Sequence, residues 1–143
     1  MDEKDRKILS YLMERGRDKI ADISRNLDIP RITVHERIQG MIERGTIKKF
    51  TVVPDYAEIG IPVVAFIFVS FRPTGKITQR DVAKSISMLR EVEEVYIIAG
   101  QWDILVKVRA ASNEEVGKLV LDKLRAIEGV EKSETISVFS VVK

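Results

Sequence analysis

The apolar positions of the first third of the chain recur at intervals of three and four residues, the spacing of amphipathic helices. This spacing predicts three short helices. Their apolar stripes are Ile8, Leu9, Leu12 and Met13 for the first, Ile20, Ile23 and Leu27 for the second, and Val34, Ile38, Met41 and Ile42 for the third. Gly16 and Gly45 are expected to end the first and third helices, and Asp18 to cap the second. Pro30 suits the first position of the third helix, where a missing N–H group costs no hydrogen bond.

A different pattern, rich in β-branched residues, begins at Thr46 and predicts a strand over Thr46–Val53. Residues 55–62 are expected to form a connector, after which apolar strands alternate with helical patterns. The predicted strands are Val63–Phe71, Val95–Ala99, Ile104–Val108 and Thr135–Val142, and the predicted helices are Thr78–Leu89 and Asn113–Ile127, the second capped by Ser112 or Asn113. Their order, β-α-β-β-α-β, is the ferredoxin-like pattern.

Together these elements predict an α+β chain with two domains. Residues 1–54 are expected to form a winged helix-turn-helix, with the first predicted strand as its wing. Residues 55–143 are expected to form a ferredoxin-like domain whose antiparallel sheet carries two helices on one face. Because the strands are apolar on both sides, the other face of the sheet is expected to mediate oligomerisation.

Composition narrows the classes of function. The 143 residues are 45% apolar and 32% charged, and they include no cysteine and one histidine, His35. The absence of cysteine excludes a disulfide framework, a thiol nucleophile and a thiolate zinc site, and a lone histidine is a poor metal ligand or general base. No apolar run is long enough to span a bilayer, and the opening Met-Asp-Glu-Lys-Asp lacks a secretory signal. We therefore expect a cytoplasmic protein without metal, cofactor or membrane partner.

Charge is distributed unevenly along the chain. The net charge is only +2, but residues 1–54 hold 12 basic and 9 acidic residues, whereas residues 55–143 hold 12 and 13. The basic excess of the first third indicates a polyanionic partner such as duplex DNA. An excess of +3 is small for a protein that binds DNA by charge alone, so a binder with little sequence preference is disfavoured.

The third predicted helix carries the candidate DNA contacts, since the major groove of DNA admits one helix. Its stripe of Val34, Ile38 and Met41 must pack inward. The residues left to project are Arg31, Ile32, His35, Glu36 and Gln39, with Thr33 and Arg37 at the margins. Arg25, Lys48 and Lys49 are better placed for phosphates. On pattern alone, a trihelical domain with a merely solvated charged face remains an alternative.

The segment Ile23–Ile38, with Met41, Gly45 and Ile47 after it, resembles the helix-turn-helix of the Lrp/AsnC family of bacterial and archaeal transcriptional regulators. The second half is similar to that family's sensor and assembly domain. The resemblance implies a sequence-specific DNA-binding regulator that dimerises through its second domain and often forms tetramers or octamers. It also implies DNA contacts for Thr33 and Arg37. This chain departs from the family pattern at Pro30, where serine is common, and at Gly40, where a basic residue is usual.

The turn Gly100-Gln101-Trp102-Asp103 falls where the family has a Gly-x-x-Asp turn, near which many members bind an amino acid. An effector there would meet the backbone N–H of Gly100 with its carboxylate and Asp103 with its ammonium group. We expect Gln101 and Trp102 to belong to the same site. Polar contacts are expected from the last strand, at Thr135 or Ser137. A plain hairpin turn is the alternative for this segment.

An enzyme is the remaining class of function. Some proteins that resemble this family are decarboxylases in haem biosynthesis, and such chemistry would depend on histidines in the second domain. This chain has none there, and it shows neither a Gly-rich phosphate loop nor a nucleophile motif. We therefore expect no catalytic residues.

Overall fold

The computed structural model describes residues 1–142, which form two compact units, Met1–Val53 and a second unit that begins at Pro54. The first unit consists of three helices: α1 (Glu3–Glu14), α2 (Ile20–Leu27) and α3 (Arg31–Glu43). Their core is formed by Ile8, Ile23, Ile29, Val34, Ile38, Met41 and Ile47. The predicted stripes are thus confirmed at most positions, but Met13 and Ile42 are exposed.

The ends of these helices differ from the predicted caps. Asp18 does not cap α2, since the N-cap is Lys19 and makes no side-chain hydrogen bond. The Asp18 carboxylate instead accepts a hydrogen bond of 2.6 Å from the Tyr11 hydroxyl, which ties the loop back to α1. Asp28 ends α2 in the left-handed conformation, with φ of 54°. Pro30 is the N-cap of α3 rather than its first residue.

The predicted strand Thr46–Val53 is wrong. Ile47 is buried and donates its N–H to the carbonyl of Met41, but the chain from Lys48 to Val53 forms no strand. Phe50, Val52 and Val53 are exposed. A β-branched segment becomes a strand only where a neighbour accepts its hydrogen bonds, and the helices of this unit offer no such edge. The helix-turn-helix therefore lacks the predicted wing.

The second unit contains the expected ferredoxin-like sheet. Its elements are β1 (Val63–Phe71), α4 (Gln79–Ser87), β2 (Val92–Ile97), β3 (Ile104–Ala110), α5 (Asn113–Lys118), a π-helical segment (Leu119–Leu124) and β4 (Val130–Ser137). All pairings are antiparallel, in the order β2-β3-β1-β4. Ser112 caps α5, as one of the two predicted alternatives. No helix among residues 1–142 is both long and apolar enough to cross a membrane.

Two strands begin earlier than their apolar patterns predicted. β2 starts at Val92, and β4 covers Val130–Ser137 instead of Thr135–Val142. Pairing with β1 decides the bounds of β4, since Phe71 lies opposite Val130 and Ala65 opposite Ser137. The predicted helix Asn113–Ile127 is shorter and changes to π-helical geometry at Leu119.

The sheet has a buried face and an open face. Ala65, Ile67 and Val69 of β1 point toward the helices and belong to the buried core. The alternating residues lie on the opposite side, where register aligns Phe68 with Leu105 of β3 and Leu105 with Tyr96 of β2. In the next row, Phe66 lies between Lys107 and Ile136. We call Phe66, Phe68, Tyr96, Leu105 and Ile136 the open face.

Candidate nucleic-acid interface and effector turn

The core determines which side of α3 faces outward. Val34, Ile38 and Met41 are at most 8% exposed and hold the helix against α1 and α2. Because a helix turns about 100° per residue, the opposite side carries Ile32, Glu36 and Gln39. All three are exposed. We call these three residues the outward stripe.

The other candidate residues of α3 flank this stripe. Arg31 and His35 are exposed on one flank, and Thr33 is half-buried on the other. The sequence predicted that Ile32 projects from the helix but assigned it no DNA contact, and the structure places it 72% exposed at the start of α3. Its apolar character was the available signal, because an apolar side chain opposite the buried stripe has no place in the core.

Arg37 turns away from the outward stripe. One of its terminal nitrogens lies 2.5 Å from an oxygen of Asp2 and 3.3 Å from Oδ1 of Asp5. Arg44 lies 3.3 Å from Oδ2 of the same Asp5, which is only 3% exposed. We call Asp2, Asp5, Arg37 and Arg44 the Asp5 cluster. The resemblance implied a DNA contact for Arg37, but its guanidinium is directed to the N-terminus of α1.

The Asp5 cluster also caps α1. Asp2 and Asp5 form a reciprocal capping box, in which the backbone N–H of Asp5 donates to Asp2 at 2.9 Å. This hydrogen bond, together with the Arg37 guanidinium, holds the pKa of Asp2 below its usual value. The Asp2 carboxylate in turn raises the pKa of Arg37. The same charges therefore cap one helix and orient another.

Gly40 has a packing reason within α3. A Cβ atom at this position would lie 3.0 Å from a terminal nitrogen of Arg44. Glycine inside a helix costs about 1 kcal/mol relative to alanine. In exchange, the bare backbone leaves room for Arg44 to fold back across the helix toward Asp5.

The candidate phosphate contacts lie outside α3. Arg25 stands in the last turn of α2, and its exposed guanidinium is 3.2 Å from Asp22. Lys48 and Lys49 are exposed in the segment that follows the buried Ile47. All three cations are free to approach a polyanion, since an exposed ion pair such as that of Arg25 is weak.

In the second unit, Asp103 is bound into the end of the sheet. Its carboxylate accepts the backbone N–H of Phe71 at 2.8 Å, and its own N–H donates to Val69 at 3.1 Å. Its carbonyl accepts from Gln79 and from the N–H of Ile98. Asp103 thus holds the Gly100–Asp103 turn on β1, and one of its carboxylate oxygens is already in use.

Within the turn, Trp102 borders a cavity. Trp102 packs against Phe68 with ring centroids 6.0 Å apart. A cavity of about 420 Å³ is lined by Trp102, Arg125, Val130, Glu131, Lys132 and Ser133. The hydroxyl of Ser133 is buried and has no hydrogen-bond partner among residues 1–142. Sequence reasoning missed Ser133 because it expected the last strand to begin at Thr135.

The remaining candidates of the effector site are separate from this cavity. Gly100 and Gln101 are exposed in the turn, and Gly100 has φ of 132°. Thr135 and Ser137 are also exposed, but they lie opposite Ile67 and Ala65, further along β4 than Ser133. The structure therefore brings Trp102 together with Ser133 rather than with Thr135 or Ser137.

Family models match both units of the chain. Residues 1–42 match the AsnC-type helix-turn-helix domain, and residues 64–143 match the Lrp/AsnC ligand binding domain. The chain belongs to the Lrp/AsnC family. It is therefore a helix-turn-helix transcriptional regulator, as the sequence predicted.

Individual relatives agree with this membership. An HTH-type transcriptional regulator of Pyrococcus abyssi is 46% identical over 143 residues, which are all of this chain and 95% of the relative. The HTH-type transcriptional regulator FL11 of Pyrococcus horikoshii is 36% identical over all of this chain and 92% of its own length. Both relatives align along the whole of this Lrp/AsnC chain.

Solved structures share the fold. The structure of E. coli AsnC has a TM-score of 0.86 at 24% identity and covers 100% of this chain and 95% of its own. A transcriptional regulator of Neisseria meningitidis, solved in complex with L-Met, has a TM-score of 0.92 at 24% identity and covers 100% and 92%. At this level of identity, the likeness shows a common fold for the Lrp/AsnC chain.

Replacing Asp5 with alanine tests the Asp5 cluster. We expect Asp5→Ala to lower the free energy of unfolding of the first unit by about 1–3 kcal/mol, because two charge-assisted contacts of a buried acid are lost. Far-UV circular dichroism during denaturation follows the helices, while fluorescence of Trp102 follows the second unit.

The matched control is Asp22→Ala, which removes the exposed pair with Arg25. We expect it to change the unfolding free energy by no more than about 0.5 kcal/mol. Equal effects of the two substitutions, or a shift of the Trp102 transition in Asp5→Ala, would contradict the role given to the cluster.

Proposed function

We propose that this Lrp/AsnC regulator binds duplex DNA as a dimer, with α3 of each protomer in a major groove. The outward stripe of Ile32, Glu36 and Gln39 supports this arrangement, since it is exposed opposite the buried stripe. This one-sided exposure of α3 is the observation that carries the proposal. A groove about 12 Å wide accepts a helix presented in this way.

We propose the following contacts within this arrangement. Gln39 pairs with adenine and Arg31 with guanine, each through two hydrogen bonds to the base edge. Thr33 and His35, on the two flanks, reach bases or phosphates. Phosphates are bound by Arg25, Lys48 and Lys49. Arg37 acts as a positioning residue, because its guanidinium is engaged by Asp2 and Asp5.

The open face supports the proposal of a dimer. Its central row of Phe68, Leu105 and Tyr96 is apolar across three strands, and Tyr96 and Ile136 are each 46% exposed. An apolar sheet face of this kind is stabilised by a second copy related by a twofold axis, which presents the same residues in return. Larger assemblies, tetramers or octamers, are then built from such dimers.

One end of the sheet's open side carries paired charges. A β-bulge between Val92 and Glu94 brings Glu93 beside Arg109, whose guanidinium stacks over the Tyr56 ring at 3.4 Å. Burial tends to raise the pKa of Glu93, but hydrogen bonds from Arg109 and Lys107 outweigh it and leave the pKa below its usual value. Glu93 therefore stays charged at neutral pH. A polar boundary of this kind favours one register of the two copies over others.

We further propose an amino-acid effector at the Gly100–Asp103 turn. The Neisseria regulator was solved with L-Met, which is consistent with this class of ligand. The cavity beside Trp102 has the opposite charges that a free amino acid needs, in Arg125, Lys132 and Glu131. The unpartnered hydroxyl of Ser133 is available to the same ligand. Asp103 holds the turn in place through the N–H of Phe71.

The proposed function includes neither catalysis nor a bound cofactor. The relatives are HTH-type transcriptional regulators, and the function proposed for this chain needs only DNA, a second protomer and an effector. We propose that the protein acts in the cytoplasm, where bacterial and archaeal DNA lies.

Replacing Ile136 with glutamate tests dimerisation and binding to paired DNA half-sites together. We expect the wild-type chain to sediment as a dimer or larger at micromolar concentration. It should protect paired half-sites whose centres lie ~10 bp or a multiple apart. Ile136→Glu places a charge on the open face, so it should sediment as a monomer and lose the paired footprint.

Thr135→Glu is the matched control, since the neighbouring residue is exposed on the other side of the same strand. It should leave both sedimentation and footprint unchanged. A monomeric wild type, a single unpaired half-site, or a dimeric Ile136→Glu would contradict the proposal.

Two substitutions at Asp103 separate its roles in effector binding. Calorimetry with the twenty amino acids should reveal at least one ligand. Asp103→Asn keeps an oxygen that accepts the Phe71 N–H, so the affinity should stay within about threefold of wild type. Asp103→Ala removes this bond, which should lower the affinity about tenfold or more.

Other outcomes would contradict specific parts of the effector proposal. If Asp103→Asn loses affinity as severely as Asp103→Ala, then the carboxylate charge meets the ligand's ammonium group directly. If both variants bind as wild type does, the site lies elsewhere. If no amino acid binds the wild-type chain, the turn is structural.

A further inference from the structure

Ile32 is the apolar member of the outward stripe. It is the second residue of α3 and 72% exposed, while Val34 on the opposite side of the helix is fully buried. Isolated exposed apolar residues are common on protein surfaces, so exposure alone assigns no role. The position of Ile32 does assign a role, because the N-terminal residues of a recognition helix are those that contact base edges.

The chemistry of Ile32 selects one feature of the major groove. Each base pair presents hydrogen-bond donors and acceptors there, and thymine alone adds an apolar group, its 5-methyl. A β-branched side chain on a helix is confined to few rotamers, so it presents a rigid apolar surface. Covering a methyl group with such a surface is favourable, because apolar area is buried. Against a polar base edge, the same surface makes no hydrogen bonds.

Glu36 restricts which base can lie beside the methyl group that Ile32 covers. It stands one turn after Ile32 on the same stripe, and none of the ion pairs formed among residues 1–142 includes it. Phosphates repel a carboxylate, and a base amino group that donates to it can offset this cost; the N4 amino group of cytosine is its usual partner. The first two turns of the stripe therefore carry an apolar group and an acid.

The spacing of the two residues limits the distance between their bases. Four residues rise about 6 Å along a helix axis, and successive base pairs rise about 3.4 Å. The two side chains thus span no more than about two base-pair steps. A cationic side chain at either position would favour guanine, but the two positions hold isoleucine and glutamate.

We infer that Ile32 is a specificity-determining residue, which reads a thymine in each half-site by packing against its 5-methyl group, with Glu36 selecting a cytosine within two base pairs. This inference rests on the proposed placement of α3 in the major groove. Removal of the methyl group alone, by replacing thymine with uracil, isolates the contact because hydrogen bonding by the base is unchanged.

The test begins with selection of the preferred site from random duplexes by the full-length chain. Each thymine of that site is then replaced singly by uracil, and the dissociation constants are measured for wild type and Ile32→Ala. For wild type, one replacement per half-site should weaken binding about fourfold, the value of burying one CH₂-sized group. For Ile32→Ala, the same replacement should change the affinity by less than about 1.5-fold, because the contact is already lost.

Ile42→Ala is the matched control, since Ile42 is also exposed on α3 but lies off the outward stripe. It should keep the wild-type sensitivity to uracil. Both variants should unfold at the wild-type temperature, as each replaces an exposed side chain.

The outcomes separate this inference from the proposed function. If wild type selects a site but no uracil replacement weakens binding, or if Ile32→Ala keeps the sensitivity, the inference is wrong and the binding mode stands. If wild type selects no sequence at all, the placement of α3 on base edges fails and the inference fails with it.

Discussion

The orientation of α3 depends on its buried stripe together with the pairing of Asp5 with Arg37 and Arg44. Burial of Val34, Ile38 and Met41 determines which side of α3 faces α1 and α2, but apolar contacts have little direction and leave small rotations of the helix possible. Ion pairs from Arg37 of α3 and from its C-cap, Arg44, to a single buried acid are directional. They reinforce the orientation given by the buried stripe, in which one side of the helix turns toward α1 and Ile32, on the other side, turns outward. Arg37 and Arg44 thereby hold α3 in place.

In each unit, one side of an element is buried in the core and the other side is left exposed. Three short helices bury a small core and leave one side of α3 exposed, which suits an external partner such as DNA. The sheet of the second unit is covered by helices on one face only, and its open face is where we propose that a second copy binds. Each exposed surface follows from one-sided burial, and the two partners that we propose, DNA and a second copy, correspond to these surfaces.

Local patterns were sufficient for part of the fold and not for the rest. The buried stripe of Val34, Ile38 and Met41 follows from spacing within one helix and was correct. Thr46–Val53 was not a strand, because strand formation depends on a partner that the local sequence does not specify. The contact of Arg37 with Asp5 joins residues 32 positions apart, so no motif within the recognition helix indicates it. Ser133 was missed for the same reason, since the register with β1 decides where the last strand begins.

The salt dependence of DNA binding by Arg37→Gln distinguishes an Arg37 that holds α3 through Asp5 from one that binds a phosphate. Each phosphate contact that is lost makes the negative slope of log K against log salt shallower by ~0.9. If Arg37 holds α3 through Asp5, the variant should bind more weakly with the wild-type slope, whereas Lys48→Gln should make the slope shallower by ~0.9 per protomer. If Arg37→Gln makes the slope shallower by the same amount, the Arg37 guanidinium binds a phosphate of the DNA instead of holding α3 through Asp5.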